Sequence, residues 1–250
     1  MQKGINNNSK HHITNSKMIK GILLDYGGTI DTNGMHWGEV LWNAYCRNEV
    51  PVSKQAFREA YVFGEYSLAT IPLVKPEHDF LTVLEIKITK QFESLIQHGF
   101  LVNEDYTELI KKIAVECNQV AIDSIGETSK VLAYLQNKYP LVLVSNFYGN
   151  IGAVLQTFGI KHYFKTIVES AVVGVRKPNP AIFSLGVDAL QLPPDECVVI
   201  GDSYSKDIAP GSLAGCKTIW LNGTGWGDDP NDVSKAGTII ENFNELIEIL

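Results

Sequence analysis

Asp25 closes a short apolar run, Gly21-Ile22-Leu23-Leu24, and Gly27 and Gly28 follow one residue later. A carboxylate presented on so tight a turn can attack phosphorus or carbon, forming a covalent intermediate that water then releases. Three later segments carry groups suited to the same chemistry: Val144-Ser145-Asn146, Arg176-Lys177-Pro178, and the stretch from Gly201-Asp202 to Asp207. The Ser145 hydroxyl and the Lys177 ammonium are donors able to hold phosphoryl oxygens as charge shifts among them. Asn146 and Thr29 complete the expected phosphate-binding set, with Thr29 also bracing the loop after Asp25. Phosphoryl transfer gathers negative charge, so a carboxylate nucleophile needs a cation beside it, and magnesium held by one or two carboxylates is the usual arrangement. Asp202 is the natural second ligand to Asp25. Asp207 could reach the metal through water, hold Lys177, or simply begin a helix.

These groups need elements that bring them together. Apolar runs at 21–24, 141–145, 165–169, 197–201, 217–222 and 238–240 read as short strands, with helical periodicity between them at 129–137, 149–158, 180–190, 208–214 and 242–250. Alternation of this kind predicts a parallel α/β sheet covered on both faces, whose ligands bind outside the carboxyl ends of the strands. Asp25, Ser145 with Asn146, and Asp202 each follow such a strand end. Between about residue 34 and residue 123 the periodicity is helical throughout, giving a block of about four helices. Within it Ser53 is an expected N-cap, Pro76 suits a first helical turn, Gly99 closes a helix, and 105–120 forms another.

In order and spacing the four segments resemble the four motifs of the haloacid dehalogenase (HAD) superfamily, from about Ile19 to the C-terminus. The helical block directly after the first motif is similar to that superfamily's type 1 cap. The resemblance implies a Rossmann-like core over 18–33 and 124–250 with an inserted α-helical cap over 34–123. It also implies a hydrolase working through an aspartyl-phosphate on Asp25, with Lys177 and Ser145 as catalytic partners. Magnesium would be held by Asp25, Asp202, the backbone carbonyl of Gly27 and, as a further candidate, Asp207. The implied substrate is a small phosphorylated molecule.

One position departs from that pattern. Phosphatases of the superfamily usually carry a second Asp two residues after the nucleophile, which protonates the leaving group and then activates water; here the residue is Gly27, as in some of its sugar-phosphate phosphatases. General acid–base catalysis contributes about 10²- to 10⁴-fold in rate, so acyl phosphates and anomeric sugar phosphates, which leave easily, would suffer least from its loss. His36, Glu39 and Asp31 are candidates to stand in. Two other readings compete. Superfamily dehalogenases resemble the D-x-Y-G-T of the first motif but lack the metal-binding Asp, and Asp202 counts against them. Phosphonate hydrolases tolerate a small residue at position 27 but need a cap lysine for a Schiff base, with Lys54 and Lys75 as the cap lysines in view. The third reading is a catalytically impaired protein that still binds phosphate. The cap would set substrate identity, and its aromatic residues Trp37, Trp42, Tyr45, Phe57, Tyr61, Phe63 and Tyr66 supply both packing and pocket wall.

Composition narrows the class. A net charge of −7 gives neither nucleic acid nor an anionic membrane an attractive surface, and no apolar run approaches the roughly 20 residues of a bilayer span. Cys46, Cys117, Cys197 and Cys216 are too scattered for a zinc site or a disulfide framework, so a reducing cytoplasm is expected, with the protein a monomer or homodimer. Residues 1–17, rich in Asn, Ser, Lys and His without an apolar stretch, are expected to form a disordered tail.

Overall fold

Successive strand residues face opposite sides of a sheet, and both faces here are lined by apolar residues. In the computed structural model, which describes residues 18–226 and 232–250, β1 (Gly21–Leu24), β2 (Leu141–Ser145), β3 (Thr166–Glu169), β4 (Cys197–Gly201), β5 (Lys217–Leu221) and β6 (Thr238–Ile240) form one sheet. Every pairing is parallel and the order is β3-β2-β1-β4-β5-β6. The expected tail at 1–17 lies outside the described residues. Ile22, Leu24, Leu143 and Ile200 join one apolar cluster, while Leu23, Val142, Val144 and Val199 join a second on the opposite face. This two-sided burial explains why the strands read as unbroken apolar runs rather than alternating ones. With β1 at the centre, paired to β2 and β4, the first, second and fourth strand ends lie side by side.

The helices are α1 (Trp37–Arg47), α2 (Lys54–Thr70), α3 (Phe80–Gln97), α4 (Thr107–Gln136), α5 (Ile151–Thr157), α6 (Ser170–Val173), α7 (Ala181–Leu190), α8 (Ala209–Leu213) and α9 (Leu246–Ile249). Ser53 caps α2 as expected, its hydroxyl accepting from Ala56 N. α3 starts later than the position of Pro76 suggests, because the Asp79 carboxylate captures the Thr82 amide at 2.9 Å and makes Asp79 the cap. The helices read separately at 105–120 and 129–137 are one 30-residue helix, α4, about 45 Å long. Its buried stripe, Ile113, Cys117, Ala121, Ile125, Thr128, Leu132 and Leu135, never breaks, and tertiary burial offsets the poor propensity of Gly126. The expected cap boundary at 123 therefore falls within continuous helix. Ser124 and Thr128 of α4 donate to the Ile30 carbonyl at 3.3 and 2.9 Å, tying this helix to the loop after Asp25. The terminal helix is a 3-10 turn, Phe243–Glu245, leading into α9 behind an Asn242–Glu245 capping box.

α1, α2 and α3, with the first part of α4, pack on Tyr45, Phe57, Phe92 and Leu95, which are continuous with the cluster beneath β1. Helical block and sheet thus share one apolar core, and the cleft between them opens over the strand ends.

Candidate active site

Asp25 leaves β1 with its backbone amide still bonded to the Ile200 carbonyl of β4, at 3.0 Å, so the sheet fixes where its side chain begins. The residue is 7 % exposed. Oδ1 accepts from Lys177 Nζ at 2.5 Å and Oδ2 lies 3.1 Å from the Thr29 hydroxyl. Thr29 is wholly buried, and its Oγ1 also lies 3.1 Å from Asp202 Oδ1 while accepting from Asp202 N at 3.0 Å. A hydroxyl has one proton, so Thr29 can donate to only one of the two carboxylates at a time. Thr29 thus braces the first segment against the fourth.

Gly28 makes this approach possible. Its φ of +93° and the 2.3 Å that would separate a Cβ from Asp202 Oδ2 exclude any side chain there. Lys177 Nζ lies 2.6 Å from Asp207 Oδ1 as well as against Asp25. Burial alone would lower the lysine, but Asp207 and Asp25 carry it up to about 12, and it stays an ammonium. Of the three roles open to Asp207, holding Lys177 is therefore filled. Its other oxygen accepts from Ser203 N at 3.1 Å. Asn146 turns its amide to the backbone of Lys177, accepting from Lys177 N at 2.9 Å and donating to Lys177 O at 3.1 Å. It lines the cavity, and both ends of its amide hold the Lys177 backbone in place. Ser145, 2 % exposed, lines the same cavity.

Oxygens of Asp25, Asp202 and Asp207 all lie within 4.8 Å of one another. Burial, then the charges of Asp25 and Asp207, hold the Asp202 carboxyl well above the usual carboxylate range; burial pushes Asp207 up to about 6 against the opposing pull of Lys177. One lysine among three carboxylates leaves the cluster short of positive charge. An all-oxygen donor set with that deficit fits a hard divalent cation such as magnesium.

The cavity, about 170 Å³, lies between this cluster and the cap. Trp37, Tyr61 and Phe80 line it, whereas Trp42, Tyr45 and Phe57 pack inside the helical block and Phe63 and Tyr66 are exposed. Gly27 also lines it, and a Cβ there would meet nothing nearer than Trp37 Cδ1 at 4.0 Å, so the room for an acid is present and unfilled.

The stand-in candidates separate cleanly. Glu39 is paired to Lys54 at 2.7 Å and does not line the cavity. His36 caps α1 by accepting from Gly38 N at Nδ1 and stacks on Trp226 at 5.2 Å; burial, with Lys206 adding to it, lowers it to about 4, so it is uncharged at neutral pH. Asp31 lines the cavity, accepts from Gly28 N at 2.7 Å and from Trp37 Nε1 at 2.9 Å, and is pushed by burial up to about 7.

Sequence reasoning missed Glu65 and Lys87. Both line the cavity and pair with each other at 2.7 Å, but they sit on different helices with no local motif to mark them. Lys54 and Lys75, the cap lysines in view, do not line it.

Residues 19–215 match the family model of haloacid dehalogenase-like hydrolases. A phosphoserine phosphatase of Thermus thermophilus is 33 % identical over 64 residues, 26 % of each chain. A glyceraldehyde 3-phosphate phosphatase of Methanopyrus kandleri is 35 % identical over 94 residues, 37 % of this chain and 40 % of the relative. These first relatives are matched over less than half of their length. A pyrimidine 5′-nucleotidase of Escherichia coli aligns further, at 26 % identity over 62 % of this chain and 71 % of its own. A magnesium-bound HAD hydrolase of Bacillus subtilis superposes with a TM-score of 0.58 at 19 % identity, covering 94 % of this chain and 99 % of that one. A dehalogenase superposes at 0.62 with 16 % identity, over 93 % and 97 %; at such identities the likeness is one of fold. With three strand ends and the Lys177 loop meeting in one cleft and the family model spanning most of the chain, the protein belongs to the haloacid dehalogenase-like hydrolases.

Proposed function

We propose that the chain is a magnesium-dependent phosphatase acting on a small phosphorylated metabolite through an aspartyl-phosphate on Asp25. The observation carrying this reading is the carboxylate cluster of Asp25, Asp202 and Asp207 around Lys177 at adjoining strand ends. Asp25, Asp202 and the Gly27 carbonyl would hold magnesium, with Asp207 near by, and the metal supplies charge neutralisation for a phosphoryl group entering beside a carboxylate. Lys177 and Ser145 bind phosphoryl oxygens. Asp25 attacks phosphorus, the bond to the leaving oxygen breaks, and that oxygen takes a proton from Asp31. Water then attacks phosphorus, returns a proton to Asp31, and frees inorganic phosphate and the Asp25 carboxylate.

Asp31 fits this duty because a pKa near 7 allows both donation and acceptance at neutral pH. The competing readings are weaker. Glu65 keeps Lys87, the cap lysine that does line the cavity, as a paired ammonium, its pKa raised despite burial; Schiff-base chemistry on a phosphonate needs a free amine. The carboxylate cluster favours a metal-dependent reaction over carbon–halogen cleavage. The open space at Gly27 favours an impaired enzyme only if Asp31 does no proton transfer. Acetyl phosphate with magnesium, followed by mass spectrometry, tests the central claim. The expected adduct lies on Asp25 and is absent from Asp25→Asn; an adduct elsewhere, or formation independent of magnesium, refutes it.

A further inference from the structure

The cap-side wall of the cavity holds a polar cluster that phosphoryl transfer does not use. Lys87 of α3, 8 % exposed, bonds Glu65 Oε1 of α2 at 2.7 Å. Tyr148, in the loop after β2, donates to Glu65 Oε2 at 2.7 Å, and its ring lies 5.5 Å from Lys87 Nζ. All three residues line the cavity. Packing α2 on α3 does not require this arrangement: Ala60, Leu68, Leu84 and Ile88 are buried beside it, and a buried ion pair is commonly no more stabilising than an apolar pair of the same size.

The cluster has bonding capacity left over. Burial would raise Glu65, but Lys87 and Tyr148 hold it at about 2, and with Lys87, Tyr148 and Tyr61 as its partners the carboxylate, with about four lone-pair sites, can accept one further hydrogen bond. Lys87 has used one of its three N–H donors. An acceptor and a donor side by side complement a hydroxyl, which both gives and takes a hydrogen bond. The Glu65–Lys87 pair carries no net charge to attract a second anionic group, and Arg176 and Lys206, which also line the cavity, are exposed to solvent. A cavity of about 170 Å³ is smaller than the roughly 300–1,000 Å³ typical of ligand sites, which favours a small leaving group.

We propose that Glu65 and Lys87, oriented by Tyr148, form the subsite for the leaving group and select a short hydroxyl-bearing alcohol, so that the substrate is a small polyol monophosphate. This rests on the reading of the site as a phosphatase site, with the phosphoryl group against Asp25. The resulting separation of duties is simple: strand ends hold phosphate, and the cap reads hydroxyls.

The test is equilibrium binding to full-length Asp25→Asn with magnesium, comparing glycerol 3-phosphate, glycerol 2-phosphate and erythritol 4-phosphate with alkyl phosphates of the same carbon number. At least one polyol phosphate is expected to bind about 10- to 100-fold more tightly than its deoxy counterpart, the range of a hydrogen bond to a charged group. Adding Glu65→Gln or Lys87→Met, each checked for native circular dichroism, brings that ratio towards one. Ratios near one for all three pairs, or ratios that survive both substitutions, overturn the proposal. Wild-type turnover of the same compounds separates the two claims. Selective binding without turnover sinks the hydrolase reading and leaves Glu65 and Lys87 as a hydroxyl-binding site only, and turnover without selectivity sinks the subsite and keeps the hydrolase reading.

Discussion

Replacing Asp31 by Asn tests the account of the missing acid, because a carboxyl that titrates at about 7 has a pH signature that an amide lacks. The groups facing it are the Gly28 amide and the Trp37 indole N–H, which hold its two oxygens, with Asp25 on its own loop, Tyr26 beneath it and Lys87 across the cavity. Burial is the largest cause of the rise, Asp25 adds to it, and the two N–H donors oppose it. With a pKa of about 7 the acid form is about 99 % populated at pH 5, half at pH 7 and about 1 % at pH 9. For a simple alkyl phosphate, whose departure needs that proton, kcat/KM should fall about tenfold per pH unit above 7. Asp31→Asn should remove this limb and lower the plateau by about 10²- to 10⁴-fold, while an acyl phosphate loses far less. Stability supplies a second readout of the same group. A folded pKa above the unfolded one means a contribution fully present below about pH 4 and lost as pH rises through 7. Relative to wild type, then, the Asn variant gains on the order of 3 kcal/mol between pH 5 and pH 9. Stopped assays across that range with saturating magnesium, paired with urea unfolding at its two ends, measure both. A flat wild-type profile, or an alkaline limb that persists in the variant, refutes the assignment.

Gly27→Asp should raise turnover of alkyl phosphates and rescue Asp31→Asn, since a side chain at 27 enters open space beside Trp37; a folded double variant with no recovery counts against a proton-transfer deficit. Gly28→Ala should abolish activity and magnesium binding with the fold kept, because its Cβ would collide with Asp202, and calorimetric titration of magnesium gives the answer. Removing magnesium with a chelator should stop turnover, and re-adding it at 100 times its Kd should stabilise the chain by about 2.7 kcal/mol as the repulsion among Asp25, Asp202 and Asp207 is relieved; thermal unfolding unchanged by magnesium would contradict the cluster's reading as a metal site. Phe57→Ala, at a wholly buried position shared by the cap and the continuous apolar core, should cost about 3–5 kcal/mol in denaturant unfolding, and a loss below 1 kcal/mol would show that the cap does not share that core.

The residues legible from sequence are those whose signal is local. Asp25, Ser145 and Asp202 each follow an apolar run that can only be a buried strand, and in a parallel sheet a strand's carboxyl end is where a ligand sits. Lys177 stands beside a proline-fixed turn, and Ser53 announces α2 by residue type alone. Tertiary structure decided the rest. α4 runs unbroken past Gly126 because its buried stripe finds partners along its whole length, which propensity does not register. Asn146 and Thr29 stand where phosphate ligands are expected, and only the fold shows that their side chains also bond the Lys177 backbone and the two carboxylates. Asp31 becomes a group that titrates near neutrality only through burial under Trp37. Glu65 is 22 residues from Lys87 and 83 from Tyr148, and these three meet only because two cap helices and a core loop close over one cavity. Periodicity and motif spacing describe neighbours along the chain, whereas burial, pKa and hydrogen-bond partners across a cleft depend on which distant elements pack together.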